Sequence, residues 1–134
     1  LGVRFVATLD QLLAQADYVS LHVALTDDTR GLIGAKQLAT MKEDAVLLNG
    51  ARGDVVDLDA LATALERGQL AGAGLDVFPD EPFVAEHPIQ NCEQVVMTPH
   101  AADQTPEGVD LLNGGAVDNV IAFLEGRPQN NVAR

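Results

Sequence analysis

Apolar positions in this chain follow two alternating periods, clusters at helical spacing and short runs that are apolar almost throughout. Behind Thr8, a residue suited to cap a helix, Leu9, Leu12, Leu13 and Ala16 share one helical face. Residues 18–23 read as a short strand, rich in branched and aromatic side chains and bounded by Asp17 and by Thr26-Asp27-Asp28. A short helix over 35–41 and an apolar strand over 45–49 follow, closed by the turn Gly50-Ala51-Arg52-Gly53. Asp57 caps a helix over 58–67, whose apolar face is Leu58, Leu61, Ala62 and Leu65 and whose end is Gly68. Residues 73–78 form another strand, halted by Pro79 and Pro82. A proline-punctuated loop leads to a strand over 94–98, then Pro99-His100, then a long helix over 106–124 that ends at Gly126 and Pro128.

Strands alternating with helices through short connections predict right-handed βαβ units, and so a parallel sheet with helices on both faces. Strands that are apolar throughout predict burial on both sides. The expected fold class is α/β, a partial doubly wound parallel sheet. The chain opens on a short apolar run without an initiator methionine, from which we expect that the start of a larger domain is missing. Neither an internal repeat nor a low-complexity segment interrupts the pattern.

Composition narrows the partners. The 134 residues, 47% of them hydrophobic, suffice for one core. A net charge of -12, from 20 acidic against 8 basic residues, would repel a phosphate backbone or an anionic membrane, so neither is an expected partner. No apolar run approaches the ~20 residues that a membrane-spanning helix needs. A single cysteine, Cys92, forms no internal disulfide, and no secretory leader pattern opens the chain, so a cytoplasmic setting is expected. Cys92 reads as structural, with Glu93 beside it disfavouring a thiolate.

In an open α/β sheet, ligands bind at the carboxyl ends of the strands, where loops vary over a fixed base. His22, Arg52, Asp76, Glu81 and His100 fall at or after those ends. Arginine presents a planar charged fork that holds a carboxylate through two hydrogen bonds. A histidine beside a carboxylate has its charged form favoured and can act as a general acid. Each residue alone has a plainer reading. Arg52 could pair with Asp54 or Asp57, Glu81 and His100 could be surface groups, and Asp76 could cap a strand end. His22 either packs at the strand end or lines the cleft, His87 reads as an exposed loop residue, and the three histidines lack metal-ligand spacing.

Three segments join these residues into one pattern: Asn49-Gly50-Ala51-Arg52-Gly53-Asp54-Val55-Val56-Asp57, Gly74-Leu75-Asp76-Val77-Phe78-Pro79-Asp80-Glu81-Pro82 and Thr98-Pro99-His100-Ala101-Ala102. Together they resemble the signatures of the D-isomer-specific 2-hydroxyacid dehydrogenases, and Leu21-His22-Val23 and Phe123-Leu124-Glu125-Gly126-Arg127-Pro128 are similar to further family segments. The resemblance implies an oxidoreductase acting on a 2-hydroxy or 2-oxo acid, with Arg52, Glu81 and His100 as its catalytic set. Arg52 would anchor the substrate carboxylate, and His100, oriented by Glu81, would exchange the proton. It implies NAD as cofactor, with NADP left open, bound along Val23, Ala24, Gly50, Ala51, Arg52, Asp76, His100, Ala101, Ala102 and Asp103. Asp76 would accept a hydrogen bond from the nicotinamide carboxamide. The chain departs from the family at Ala24, where proline is common, and at Ala102-Asp103, where a small pair is usual.

The family's glycine-rich pyrophosphate turn is not in this sequence, so the expectation is a Rossmann-like sheet lacking the first βαβ unit, with weak cofactor binding by this chain alone. Residues 1–104 are expected to be a partial dinucleotide-binding domain, and 105–134 a return helix and tail. A homodimer through the nucleotide-binding domain is implied as well. Two other readings compete: a catalytically silent NAD-sensing regulator like the family's corepressors, and a formate dehydrogenase, against which Glu81 speaks because that branch carries glutamine.

Overall fold

The computed structural model describes residues 2–83 and 86–131. Four parallel strands form one sheet in the order β1 (Tyr18–Leu21), β2 (Val46–Asn49), β3 (Gly72–Leu75), β4 (Val95–Met97). Between them run α1 (Leu9–Leu13, before β1), α2 (Ala35–Leu38) and α3 (Leu58–Glu66), with 3₁₀ turns at Gly53–Val55 and Pro88–Asn91. Leu21 stands opposite Asn49, Asn49 opposite Leu75, and Leu75 opposite Met97. The carboxyl ends are therefore level, and the loops after all four strands leave from the same edge.

Helix ends are set where the sequence places capping groups. The Thr8 hydroxyl accepts from the Gln11 N–H at 3.2 Å, and the Asp57 carboxylate accepts from the Ala60 N–H at 3.0 Å. Gly68 closes α3 with a left-handed φ of 67°. Leu13, Ile33, Leu38, Leu47, Leu61, Leu65 and Ile89 are fully enclosed and form the centre of the core. Leu12 is exposed, because α1 ends at Leu13 and turns only part of the expected stripe inward.

The expectation that strands apolar throughout are buried on both faces is met along β3 but not along β1 or β2 within this chain. Val19, Leu21, Leu47 and Asn49 are buried, whereas their neighbours Tyr18, Ser20 and Leu48 are exposed, Tyr18 at 73%. Val96 on β4 is 70% exposed. Successive strand residues point to opposite faces, so along β1 and β2 the buried residues are those that face the core of this chain. Among the described strands, β3 is the one enclosed nearly throughout. There Gly72 and Gly74 serve close packing: a Cβ would stand 2.7 Å from the Gln94 carbonyl oxygen at the first and 2.9 Å from Leu48 Cδ2 at the second.

The chain divides into two compact units, Leu1–His100 and Ala101–Arg134. The second is built on α4 (Pro106–Leu124), which Thr105 caps by accepting from the Gly108 N–H at 3.0 Å and which Gly126 ends with a φ of 73°. Among the described residues no helix is long and apolar enough to cross a membrane.

Candidate active site

The turn after β2 is shaped by Asn49, 2% exposed. Its Oδ1 accepts from the Ala51 N–H at 3.1 Å and its Nδ2 donates to the Arg52 carbonyl at 3.0 Å, so one side chain fixes both sides of the turn. Sequence reasoning did not single out Asn49; an asparagine between a buried strand and a glycine is the signal that could have found it. Arg52 Nη1 donates to the Ala51 carbonyl at 2.6 Å, which holds the guanidinium beside the turn. The simpler partners weighed for Arg52 are engaged elsewhere, Asp54 by Arg30 and Asp57 by the amino terminus of α3.

After β3, the Asp76 N–H donates to the Asn49 carbonyl at 3.0 Å, which ties this strand end to the neighbouring one. The Asp76 side chain is buried, at 8% exposure, and its Oδ1 accepts from the Thr98 hydroxyl at 2.5 Å. Beyond it the chain folds back on itself. The Phe78 N–H donates to Glu81 Oε1 at 2.9 Å, and the rings of Phe78 and Phe83 stack with centroids 4.3 Å apart. Glu81 is thereby anchored through one oxygen, and its other oxygen, Oε2, meets Nδ1 of His100 at 2.7 Å.

His100 has a φ of 54°, a left-handed conformation uncommon outside glycine, which turns the chain just past β4. Its bond to Glu81, and then the carboxylate charge, hold the imidazole pKa above its ordinary value; Asp76 adds to this and Arg52 opposes it. The same bond, with the Phe78 N–H, holds the Glu81 carboxyl below its ordinary value. The pair therefore favours a carboxylate and an imidazolium over two neutral groups.

Arg52, Gly53, Glu81 and His100 share the wall of a cavity of about 170 Å³ with Leu25. A wider cleft of about 490 Å³ is lined by His22, Val23, Ala24, Leu25, Gly50, Ala51 and Arg52. Arg52 belongs to both. Of the residues proposed from sequence to meet a cofactor, Val23, Ala24, Gly50, Ala51 and Arg52 come together in this cleft, Asp76 and His100 lie outside its lining, and Ala101, Ala102 and Asp103 open the second unit. The cleft combines small residues, Ala24, Gly50 and Ala51, with the polar side chains of His22 and Arg52, and a Cβ at Gly50 would meet no atom within 4 Å, so this chain's own packing leaves that position open. His22 lines the cleft, with Nε2 and the Ser20 hydroxyl 2.8 Å apart.

One sequence reading is corrected, and the cause behind another is changed. His87 is 18% exposed in its side chain rather than a free loop residue: Nδ1 accepts from the Ile89 N–H at 3.1 Å, capping the Pro88–Asn91 turn, and Nε2 lies 3.2 Å from Asp59. The Cys92 thiol is pushed up by burial and then by Glu66, not by the adjacent Glu93. No group of three or more potential metal ligands occurs among the described residues.

Residues 1–102 match the family model described as "D-isomer specific 2-hydroxyacid dehydrogenase, NAD binding domain". A glyoxylate reductase from Korarchaeum cryptofilum is 46% identical over 132 residues, 98% of this chain and 40% of that protein. The crystal structure of a glyoxylate reductase from Paecilomyes thermophila superposes with a TM-score of 0.85 at 38% identity, over 94% of this chain and 38% of that one. The NAD-complexed form of a D-isomer specific 2-hydroxyacid dehydrogenase from Lactobacillus delbrueckii ssp. bulgaricus gives 0.81 at 34% identity, over 95% and 43%. The chain thus spans about 40% of the length of the relatives it matches. The open parallel sheet, its level strand ends and the match over residues 1–102 place this chain in the D-isomer specific 2-hydroxyacid dehydrogenase family, as part of its NAD-binding domain.

Proposed function

We propose that this chain carries the proton-transfer and substrate-anchoring groups of an NAD-dependent D-2-hydroxyacid dehydrogenase. The observation that carries the reading is the Glu81–His100 contact of 2.7 Å, on the wall of a cavity that Arg52 also lines. Arg52 binds the carboxylate of a 2-oxo acid and draws electron density from its carbonyl. His100, kept protonated by Glu81, gives its Nε2 proton to the carbonyl oxygen as negative charge develops there, and recovers it in the reverse direction. Glu81 works through His100, fixing the ring by Nδ1 while its own Oε1 is held by Phe78. The adjoining cleft would hold the nicotinamide, whose part when bound would be to supply or accept the hydride.

Val23, Ala24, Gly50, Ala51 and Arg52 form the cofactor cleft in this reading, Asp76 would accept from the carboxamide, and the family resemblance adds His100, Ala101, Ala102 and Asp103 to the cofactor set. The glyoxylate reductases among the relatives make glyoxylate and hydroxypyruvate the first substrates to try. The enzyme works as a homodimer in the cytoplasm.

The test is turnover by the longest natural polypeptide that carries this sequence, with NADH or NADPH and a panel of 2-oxo acids. Wild type should reduce at least one, His100→Ala should lose ~100- to 10,000-fold in kcat, and Arg52→Ala should chiefly raise the KM for the acid. Cofactor binding without turnover of any acid would favour the silent regulator instead.

A further inference from the structure

One residue touches both the buried carboxylate after β3 and the turn that carries His100. Thr98 lies just beyond β4, where its N–H donates to the Leu75 carbonyl at 2.9 Å and so continues the β3–β4 pairing past the last strand residue. Its hydroxyl donates to Asp76 Oδ1 at 2.5 Å, and its carbonyl accepts from the His100 N–H at 3.1 Å. Backbone bonds on both sides leave Thr98 little freedom. Its hydroxyl is therefore a donor at a set place, and a charge-assisted bond as short as this one holds the acceptor strongly.

We propose that Thr98 is a positioning residue for the cofactor, orienting the Asp76 carboxylate so that it can accept from the nicotinamide carboxamide. This rests on the function proposed above. Asp76 is buried, at 8% exposure, and a buried carboxylate held by a directed donor presents one face, whereas one that rotates spreads its lone pairs over several. The bond costs the cofactor nothing, because it is made before binding; the loss of it would be felt when the carboxamide N–H groups arrive. The negative charge so held also supports the imidazolium, since Asp76 is among the groups that raise the His100 pKa. The residue thus serves the cofactor side and the proton side of the site from one position.

The experiment compares wild type, Thr98→Val, Thr98→Ala and Thr98→Ser in the longest natural polypeptide that carries this sequence. NADH binding is read by fluorescence titration, alongside the reduced 3-acetylpyridine analogue, whose methyl ketone offers no N–H to Asp76. Thr98→Val and Thr98→Ala should bind NADH about tenfold more weakly, Thr98→Ser should restore wild-type affinity, and the analogue should bind all four proteins alike. Equal NADH affinity in wild type and Thr98→Val, or equal weakening for NADH and the analogue, overturns the inference while leaving the proposed reaction in place. A wild type that binds NADH tightly yet reduces no 2-oxo acid leaves the positioning role intact and removes the reaction. A wild type that binds no NADH removes both.

Discussion

A Cβ built on Gly53 would stand 2.0 Å from the carbonyl carbon of Phe78 and 2.3 Å from Pro79 N, so only glycine lets the Arg52 turn close on the loop that carries Glu81. The obstacle is backbone, which cannot swing aside as a flexible side chain can. Gly53→Ala must push the two loops apart, and the separation of Arg52 from Glu81 and His100 grows with it. We expect a loss of stability of ~1–3 kcal/mol from the overpacking. A loss of roughly 100-fold in kcat/KM should accompany it, because an ångström of misplacement in a positioned site costs about that much. Urea denaturation and steady-state kinetics on the same preparation check both; full activity in Gly53→Ala would mean that the contact does not set the geometry of the site.

How much of this was legible in the sequence differs by element. The caps at Thr8 and Asp57 and the stop at Gly68 were readable, because each depends on local chemistry within one turn. Strand ends were not: residues 73–78 read as one strand, yet β3 ends at Leu75, and Val77 and Phe78 are buried without being paired. Apolarity marks burial, and burial extends into the loop that carries Glu81. Tyr18, Leu48 and Val96 are apolar or aromatic and exposed in this chain, so a hydrophobic run does not by itself say which of its residues face this chain's core. At the candidate site, Arg52, Glu81 and His100 could be named as candidates because residue type and motif agree, and the structure sets them around one cavity. The Thr98–Asp76 bond spans 22 positions and the Gly53–Phe78 approach spans two loops, and neither leaves a periodic or local mark.

In α4, Gly114 is an exposed glycine in the middle of a helix, and a Cβ there would meet nothing within 4 Å. Glycine loses more backbone freedom on helix formation than alanine does, and here no close approach offsets that cost. Gly114→Ala should stabilise the chain by ~0.5–1 kcal/mol, seen as a higher midpoint in urea with an unchanged m-value. A lower midpoint would reveal a neighbour against this face of α4.

The Glu81–His100 pair sets a pH dependence whose sign follows from the two shifts. In the proposed reaction reduction needs the imidazolium, so its kcat/KM should hold at low pH and fall as pH rises through the raised pKa of His100; oxidation, which would need the neutral ring, should rise over the same range. Glu81→Gln keeps the shape and a hydrogen bond but removes the charge that favours the imidazolium. Its falling limb should therefore move towards lower pH, with kcat for reduction reduced at pH 7.5 and partly recovered at pH 6. The contribution of the pair to stability runs in two opposite senses. That of His100 is complete below its ordinary value of 6.5 and fades as pH rises through the folded value, while that of Glu81 is complete above 4.5 and fades as pH falls through its lowered value. Both are present together between 4.5 and 6.5, so the difference in melting temperature between wild type and Glu81→Gln should be widest in that window. A falling limb at the same pH in both proteins would mean that some group other than His100 governs the proton transfer.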